Sequence, residues 1–312
     1  MTRNKKKIIR ATTVPMSLKA FCDGMLKELS QKYEVVAVSS PGEDLDLVAE
    51  REGVRTTAVP MERHISLWKD LKSVIRMTKV LRKEKPDMVH SMTPKAGLVT
   101  MIAGWLAGVP VRIHTFTGLV WPTSTGLKRK ILMITDRLTC ACATHVLPEG
   151  QGVMNDLKNG GITKKPMKVL GYGSVKGIDL ERFNPERFER HKDPSKFVFM
   201  FVGRIVGDKG INELVEAFIM LNDKYPQTIL RLVGSYEKDL DPVSELTQKR
   251  IETNPAIDAC GPLYGDALLP AYMDSDCHVM PSYREGFPNT VLEAGAMGLP
   301  QIVTDINGSR EI

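Results

Sequence analysis

Along the first half of the chain, short runs of β-branched residues alternate with segments whose apolar residues recur at helical spacing. Leu67–Glu84 shows the helical spacing best, because its apolar residues fall close to one face. Helices are also predicted at Ser17–Tyr33 and Leu45–Gly53. The predicted strands and extended runs are Lys7–Thr13, Glu34–Ser40, Val54–Pro60, Met88–Met92, Val111–Phe116 and Thr144–Leu147. This alternation is typical of a parallel sheet covered by helices on both faces.

The alternation stops at an irregular, charged segment, Gly171–Pro194, and then begins again. Phe197–Val202 is almost continuously apolar, as expected of a central parallel strand. The amphipathic segment Gly210–Lys224 follows it as a predicted helix. Further strands are predicted at Thr228–Val233, Cys277–Pro281 and Gln301–Asp305. The second half therefore has the same predicted architecture as the first.

The two stretches predict an α/β protein with two Rossmann-like, doubly wound domains. The predicted divisions are an N-terminal domain (1–172), a linker (173–194) and a C-terminal domain (195–312). The chain stops just after a predicted strand and the turn Asn307-Gly308-Ser309. Because compact domains seldom stop at such a point, we expect the C-terminal domain to be incomplete.

The net charge of +6 conceals opposite charges in the two halves. Residues 1–172 contain 28 Lys and Arg against 15 Asp and Glu, whereas residues 173–312 contain 15 against 22. The basic half indicates an anionic partner, either nucleic acid or an anionic membrane face, unless the excess is only solvated helix surface. Nucleic acid is not expected, because aromatic residues make up 6% and no nucleic-acid module is visible. Lys128-Arg129-Lys130, next to Leu127, suits a membrane face.

The cysteines and the apolar runs exclude several other classes of protein. The five cysteines are scattered without a C-x-x-C pair, which favours reduced thiols over a zinc ribbon or a disulfide framework. No signal peptide is visible, and no apolar run approaches the length that spans a bilayer. We therefore expect a cytoplasmic protein.

Arg204 and Lys209 follow the apolar strand Phe197–Val202, and Lys209-Gly210 opens the next helix. In open α/β sheets, ligands bind beyond the carboxyl ends of the strands. A guanidinium group and an ammonium group beside a helix N-terminus suit a diphosphate. The alternative for both residues is that they are ordinary surface charges.

Glu285 and Glu293 are eight positions apart, in the loop after a predicted strand and in the helix that follows. We expect this helix to begin near Pro288–Asn289, with Pro288 in its first turn. Glu293 can then accept hydrogen bonds from the vicinal hydroxyls of a ribose, and Glu285 can hold the hydroxyls of a second sugar. Paired carboxylates also occur in glycosidases, but there they flank a scissile bond across a groove.

Residues 197–311 resemble the C-terminal domain of family-four glycosyltransferases, which are retaining enzymes of the GT-B fold with two domains facing across a cleft. The matching residues are Gly203-Arg204, Lys209-Gly210, Glu285-Gly286-Phe287-Pro288, Glu293-Ala294, Gly298-x-Pro300 and, in the linker, Gly177-Ile178-Asp179-x-x-x-Phe183. The resemblance implies that Glu293 binds ribose and that Glu285 contacts the transferred sugar as a catalytic residue. The donor diphosphate site that it implies consists of Arg204, Lys209, Gly286, Phe287 and Asn289.

The N-terminal half is similar to the bacterial branch that acts on lipid-linked sugars in capsule, O-antigen or glycan assembly. The matching residues are Thr13-Val14-Pro15-x-Ser17, His90-Ser91-x-Thr93-Pro94-Lys95-Ala96-Gly97 and His114-Thr115-Phe116-Thr117-Gly118. The resemblance implies an acceptor side that includes Pro15, Ser17, His90 and Lys95, and it places His114 near the transferred sugar as a catalytic residue. We expect His114 and His90 each to end a strand at the carboxyl edge. An ordinary hydrogen-bonded core histidine is the alternative for both.

The sequence thus predicts a retaining transferase that moves a hexose or N-acetylhexosamine from a nucleotide-diphosphate sugar, with UDP favoured, to a polyprenyl-diphosphate-linked or polysaccharide acceptor. Asp274-Ser275-Asp276 precedes a predicted strand, so we expect neither a metal ion nor a cofactor. The expected location is the inner face of the cytoplasmic membrane, through the basic half. A sugar-nucleotide epimerase of the same shape and a non-catalytic nucleotide-sugar-binding protein are the alternatives.

Overall fold

The computed structural model describes residues 5–64, 66–237, 239 and 241–312. The chain divides into an N-terminal unit that ends at Lys176 and a C-terminal unit, Gly177–Ile312. Each unit contains one sheet, and every strand pair among the described residues is parallel. The predicted α/β class with two Rossmann-like domains is therefore confirmed.

Six parallel strands form the sheet of the N-terminal unit. They are β1 (Lys7–Ala11), β2 (Glu34–Ser39), β3 (Arg55–Ala58), β4 (Met88–Met92), β5 (Val111–Phe116) and β6 (His145–Pro148). Their order in the sheet is β3-β2-β1-β4-β5-β6. The helices are α1 (Pro15–Phe21), α2 (Met25–Lys32), α3 (Glu43–Glu52), α4 (Leu67–Glu84), α5 (Pro94–Leu106), α6 (Gly126–Cys142) and α7 (Gln151–Asn159).

The single helix predicted over Ser17–Tyr33 is wrong, because the structure divides it into α1 and α2. Gly24 breaks the helix with a φ of 72°, in the left-handed region that glycine adopts readily. The buried carboxylate of Glu52, at the end of α3, accepts hydrogen bonds from the N–H groups of Gly24, Leu26 and Lys27 at 3.0–3.1 Å. A distant side chain thus caps the second helix, which a local apolar pattern cannot reveal.

Two hydrophobic cores lie on the two faces of the N-terminal sheet. On one face, α4, α5 and α6 pack side by side over Ile9, Val36 and Val89. On the other face, α1, α2 and α3 cover Val35 and Ala37. Residues 35–37 show the alternation directly, since successive side chains of a strand point to opposite faces.

The C-terminal unit repeats this plan with five strands and four helices in its described residues. Its strands are β7 (Phe197–Val202), β8 (Thr228–Val233), β9 (Ile257–Gly261), β10 (Cys277–Met280) and β11 (Gln301–Val303), in the order β11-β10-β7-β8-β9. Its helices are α8 (Ile211–Lys224), α9 (Glu245–Thr253), α10 (Leu268–Met273) and α11 (Asn289–Ala296). The sequence did not predict β9, because this edge strand has a single buried residue, Ile257, and little apolar signal.

Residues 177–194, most of the predicted linker, belong to the C-terminal unit. Phe183 is buried with Met200 and Tyr272 in the core beneath α10 and α11. Arg190 and Lys192 each pair with Asp276 at 2.5 Å. Three apolar side chains, Phe183, Ile178 and Phe188, and two ion pairs therefore attach this irregular segment to the rest of the unit. None of the helices in the described part of the chain is both long and apolar enough to span a bilayer.

Candidate functional site

In the C-terminal unit, glycines bring three loops close together at the carboxyl edge, where the parallel strands end. Gly210, with a φ of 69°, starts α8 so close to the next loop that a Cβ atom would lie 2.2 Å from the carbonyl oxygen of Pro281. A Cβ atom on Gly234 would lie 1.7 Å from the carbonyl oxygen of Gly203. Only glycine allows such approaches. The loops after β7, β8 and β10 thereby form one surface at the usual ligand-binding edge.

The structure brings two of the predicted donor residues, Lys209 and Glu285, into an ion pair at this edge. Their side chains are 20% and 10% exposed. The guanidinium group of Arg204 is more open, at 46% exposed, and pairs with Glu237 in the loop after β8. The sequence predicted both cations but not the carboxylate that Arg204 contacts.

A further network, which the sequence analysis missed, fixes the loop that carries Lys209. The carboxylate of Asp241 accepts a hydrogen bond from the N–H of Asp208 at 2.5 Å, and the carbonyl of Asp241 accepts one from Gly207 at 3.1 Å. The carboxylate of Asp208 pairs with Arg284, the residue before Glu285. Asp208 and Arg284 each adjoin a predicted site residue, which is the only sequence signal that could have found them.

Helix α11 begins at Asn289, so the placement of Pro288 in the first helical turn is wrong. Pro288 is the N-cap residue, with an extended ψ of 109°. Gly286, Phe287 and Pro288 are buried in front of the helix. A Cβ atom on Gly308 would lie 2.4 Å from the carbonyl oxygen of Gly286. The loop after β11 therefore packs against the predicted diphosphate-binding segment and fixes its path.

Glu293 lies in the second turn of α11 and is 9% exposed. Its carboxylate accepts a hydrogen bond from the hydroxyl of Tyr272, at 3.1 Å. Burial, reinforced by the negative charge of Glu293, holds the pKa of Tyr272 well above its usual value, so the phenol remains a donor. Tyr272 had no sequence signal beyond an apolar position in a short helix. Arg204 and Glu293 therefore have different partners, Glu237 and Tyr272.

A cavity of about 290 Å³ lies at the carboxyl ends of β7, β8 and β9. Its lining consists mainly of apolar side chains and glycine backbone, from Ile205, Leu232, Gly234, Ser235, Tyr236, Ala259, Gly261 and Pro262. Ile205, the residue after Arg204, is one of the lining residues. The sequence analysis missed the cavity because β9, which supplies one wall, was not predicted.

In the N-terminal unit, His114 and His90 do not end their strands, since two further strand residues follow each of them. His114 is 1% exposed, and its Nδ1 atom is hydrogen-bonded to the hydroxyl of Ser91 at 2.8 Å. A Cβ atom on Gly97 would lie 2.4 Å from Cε1 of His114, so α5 packs directly on the ring. Burial lowers the pKa of His114 to about 3.

His90 accepts a hydrogen bond from Arg10 at Nδ1, so its Nε2 atom carries the hydrogen and donates to Thr115 at 2.7 Å. Burial and the positive charge of Arg10 lower the pKa of His90 well below its usual value. Both histidines are therefore neutral and have the surroundings of hydrogen-bonded core residues, which was the alternative to a role at the site.

Hydrogen bonds join the loop between β1 and α1, the helix that contains Pro15 and Ser17, to the start of α5. The hydroxyl of Thr13 contacts that of Thr93 at 2.8 Å and accepts the N–H of Ala96 at 3.1 Å. Thr93 has a φ of 72°, a conformation that costs a non-glycine residue about 1–3 kcal/mol. Pro15 is buried as the first residue of α1, and Ser17, in the same turn, is half-buried.

Lys95, in the first turn of α5, pairs with Asp70 of α4 at 2.6 Å, and both side chains are nearly buried. The structure therefore brings Pro15, Ser17 and Lys95 to one edge of the N-terminal sheet, where β1 and β4 end.

The described residues include no group of three or more His, Cys, Asp or Glu side chains that could hold a metal ion. Asp276 lies at the amino end of β10, where it binds Val198, Arg190 and Lys192, as its predicted position before a strand requires. The metal independence of the reaction remains a prediction.

Comparison with known families accounts for both units. Residues 183–312 match the family described as glycosyl transferases group 1, and residues 21–173 match a glycosyl transferase 4-like domain. Among solved structures, HepE of Anabaena, determined in complex with UDP and glucose, superposes with a TM-score of 0.75 at 15% identity and covers 98% of this chain and 82% of that one. The GT-B fold is thereby confirmed.

Two curated relatives match along nearly the whole chain. The capsular polysaccharide biosynthesis glycosyltransferase CapM of Staphylococcus aureus is 32% identical over 97% of this chain and 80% of its own length. The UDP-Gal:alpha-D-GlcNAc-diphosphoundecaprenol alpha-1,3-galactosyltransferase of Escherichia coli is 30% identical over 99% of this chain and 81% of its own length. Family models and relatives agree that the chain belongs to the group 1 glycosyltransferases and is a glycosyltransferase enzyme.

Proposed function

We propose that this enzyme transfers a hexose or N-acetylhexosamine, with retention of configuration, from a nucleotide-diphosphate sugar to a lipid-linked or polysaccharide acceptor in cell-surface glycan synthesis. UDP is the proposed nucleotide. The carrying observation is the convergence of Lys209, Glu285 and Arg204 at one carboxyl edge, beside an apolar cavity.

The donor fits this edge from base to sugar. The apolar cavity binds the flat nucleobase, and the buried carboxylate of Glu293 accepts hydrogen bonds from the two ribose hydroxyls. Arg204 and Lys209 bind the diphosphate, together with the backbone of Gly286–Asn289 at the start of α11. Glu285, which contacts Lys209, then holds hydroxyls of the transferred sugar. Each cation already has an acidic partner, which the anionic donor replaces.

The chemistry follows from where charge develops. The bond from the anomeric carbon to the diphosphate oxygen breaks, and that oxygen takes the electron pair. Fixed cations stabilise this charge more in the transition state than in the ground state. The acceptor hydroxyl forms its bond to the anomeric carbon on the face that the diphosphate leaves, and its proton passes to the leaving phosphate. The configuration is thereby retained without a metal ion in the proposed scheme.

The proposed acceptor is a sugar attached to a polyprenyl diphosphate. The name of the Escherichia coli relative specifies such an acceptor, and that of CapM specifies capsule synthesis. Lys95, Ser17 and Pro15 lie together at one edge of the N-terminal sheet and form the proposed contact. His114, as a neutral group packed on Gly97, holds the start of α5 in place rather than exchanging a proton.

The basic N-terminal half is proposed to bring the enzyme to the anionic inner face of the cytoplasmic membrane. Lys128, Arg129 and Lys130 are exposed at the start of α6, together with Leu127. Each Lys or Arg near such a surface contributes about 1 kcal/mol.

The test is a mass-spectrometric screen of nucleotide sugars against polyprenyl-diphosphate sugars with the purified protein. We expect a product one sugar heavier, formed only when donor and acceptor are both present, and an unchanged anomeric configuration by NMR. Conversion of a nucleotide sugar without an acceptor would identify an epimerase. Binding of donors without turnover against any acceptor would contradict the proposed reaction.

A further inference from the structure

The exposed large apolar side chains of the N-terminal unit are concentrated on one helical layer. Among the described residues, α4 exposes Leu67 (83%) and Trp68 (77%) in its first turn. The other exposed apolar residues of this layer are Leu71 and Ile75 on α4, Trp105 and Leu106 on α5, and Leu127, Ile134 and Leu138 on α6. Large exposed apolar side chains concentrated on one layer of helices make this layer a candidate interaction surface.

Leu67 and Trp68 lie at the edge of the N-terminal sheet where the acceptor is proposed to bind. Helices that connect parallel strands run antiparallel to them, so α4, α5 and α6 all start at the carboxyl edge of the sheet. The ion pair of Asp70 with Lys95 joins the first turns of α4 and α5 directly. Leu67 and Trp68 therefore lie within one helical turn of a residue proposed to bind the acceptor. Trp105 and Leu106, at the end of α5, lie at the opposite edge.

The exposed charges around these apolar groups are mostly positive. The outer surfaces of α4 and α6 carry Lys69, Lys72, Arg76, Lys79, Arg82, Lys83, Lys128, Arg129, Lys130 and Arg137. The carboxylates of these two helices are turned inward. Asp70 and Glu84 have side chains that are 12% exposed, and Asp136 is 8% exposed. Glu62, which precedes α4 and pairs with Lys69, is an exposed carboxylate beside this surface. Cations nevertheless predominate, and a surface of apolar anchors among an excess of cations complements an anionic bilayer.

We infer that the first turns of α4 and α6 insert Leu67, Trp68 and Leu127 into the headgroup region of an anionic phospholipid bilayer. Tryptophan suits this region because its ring is apolar and its N–H remains hydrated. The neighbouring lysines and arginines contact the lipid phosphates. Docking at this edge lets the diphosphate of a lipid-linked acceptor reach Lys95 while the prenyl chain stays in the bilayer. This inference rests on the proposed lipid-linked acceptor.

The chain's own tryptophans provide the test. It has three, of which Trp68 and Trp105 are exposed and Trp121 is buried. Trp105→Phe therefore leaves Trp68 as the exposed reporter, and Trp68→Phe leaves Trp105 as the matched control. With vesicles of brominated phosphatidylglycerol, we expect quenching and a blue shift in Trp105→Phe, little change in Trp68→Phe, and loss of both effects with phosphatidylcholine. Equal quenching of the two variants, or none, would overturn the inference.

A second pair of variants connects docking to transfer. Leu67→Ser with Trp68→Ser should bind anionic vesicles about tenfold more weakly than wild type, whereas Trp105→Ser with Leu106→Ser should bind like wild type. Transfer to a long-chain acceptor in vesicles should fall with binding, and transfer to a short-chain, water-soluble acceptor should not change. If Leu67→Ser with Trp68→Ser abolishes a self-association seen by sedimentation, and vesicle binding is unchanged, the surface contacts a second copy and the inference fails.

The same measurements separate this inference from the proposed function. Wild-type protein that transfers sugar to neither acceptor contradicts the proposed function, while the tryptophan quenching still decides the docking surface. Wild-type protein that transfers to both acceptors equally well without vesicle binding supports the function and overturns the docking.

Discussion

The carboxyl edges of the two sheets hold their polar side chains in opposite ways. In the C-terminal unit the edge consists of partly exposed ion pairs, Lys209 with Glu285 and Arg204 with Glu237. In the N-terminal unit it consists of hydroxyls, of the nearly buried ion pair of Lys95 with Asp70, and of two neutral histidines, His90 and His114, held by hydrogen bonds beneath the surface. At the C-terminal edge the charged groups form ion pairs, and the guanidinium group of Arg204 is exposed to solvent. At the N-terminal edge the polar groups are buried or nearly buried and are held by hydrogen bonds and one ion pair.

This difference corresponds to the two tasks of a transferase. A solvent-exposed ion pair contributes only about 0–1 kcal/mol, so a phosphate oxygen can replace the carboxylate that pairs with Arg204, whose side chain is 46% exposed, at little cost. A buried hydrogen bond cannot be exchanged in this way, because an unsatisfied buried group costs about 1–3 kcal/mol. These properties support the proposal that the C-terminal edge binds and releases a charged donor. In the same proposal, the N-terminal edge is a rigid support that orients α1 and the start of α5 towards the acceptor.

The largest predicted effect is the loss of turnover when Arg204 is replaced. Arg204 has the most exposed side chain of the proposed donor-binding residues at the carboxyl edge of the C-terminal sheet, here called the donor edge. Arg204→Ala should lower kcat about 10²–10³-fold without unfolding the protein, because it removes a cation that faces the charge of the leaving diphosphate. Steady-state transfer assays and thermal melting measure the two effects. The matched control is Arg231→Ala, which breaks the ion pair with Asp258 within the same sheet and should keep wild-type kcat. Wild-type turnover by Arg204→Ala would show that Arg204 does not stabilise the leaving diphosphate, and the proposed difference between the two edges would then fail.

The second prediction tests whether the close approach of the loops holds the donor edge together. Gly210→Ala would place a methyl group 2.2 Å from the carbonyl oxygen of Pro281, and its φ of 69° is itself strained. We expect a loss of about 3 kcal/mol in stability together with a higher donor KM, since Lys209 would move away from Glu285. Gly298→Ala has a similar φ of 76° but no atom within 4 Å, so it should lose only about 1 kcal/mol, with donor KM unchanged. Equal effects of the two substitutions would show that the approach of the loops is unimportant. Urea denaturation and donor titration measure these quantities.

The sequence predicted which residues lie at the carboxyl edge better in the C-terminal unit than in the N-terminal unit, and the reason is physical. Arg204, Lys209, Glu285 and Glu293 follow strands with strong apolar patterns, so their position at the carboxyl edge follows from topology alone. Their partners could not be predicted in this way. Tyr272 reaches Glu293 by packing between two helices, and no periodicity encodes such a pair.

In the N-terminal unit, contacts between side chains that are far apart in the sequence determine features that the hydrophobic pattern could not predict, namely where a helix is divided and what surrounds His114. Glu52 caps α2 from the end of α3, and so it divides a helix that looked continuous. His114 is confined by Gly97, which lies in a different element of the fold. A histidine at the end of an apolar run fits both a site and a core. Only the packing of α5 on its ring distinguishes them.

The third prediction concerns acid, which should act through the buried histidines. The folded-state pKa of His114 is lowered to about 3 and that of His278, in β10, to about 4, whereas an unfolded histidine titrates near 6.5. Below about pH 6.5 the unfolded chain binds the proton and the folded chain does not. Stability is therefore complete above that pH and falls as the pH drops towards 3, by about 1.4 kcal/mol per pH unit for each such histidine.

Urea denaturation between pH 7 and pH 5 measures this slope. His114→Asn keeps a side-chain hydrogen-bonding group near Ser91 and should reduce the slope, although it lowers stability at pH 7. His278→Asn should reduce the slope in the same way. The transfer rate itself should not titrate with His114. A wild-type slope in His114→Asn would show that the N-terminal edge does not respond to acid through this ring.

The smallest predicted effect is on the one buried hydrogen bond of the donor edge. Glu293 combines features of both edges, since it is a proposed ligand-binding carboxylate that is nevertheless buried and bonded to Tyr272. Tyr272→Phe removes one donor from this carboxylate and should cost about 1.5 kcal/mol, observed as an approximately tenfold higher donor KM with little change in kcat, because ribose binding is the same in the ground and transition states. Tyr264→Phe, at an exposed tyrosine of the same unit, is the control and should keep the wild-type KM. A fall in kcat with KM unchanged would instead place the Glu293 carboxylate among groups that act only in the transition state. The donor edge would then contain both kinds of group, exchangeable ion pairs that bind the donor and a fixed hydrogen bond that acts during the reaction.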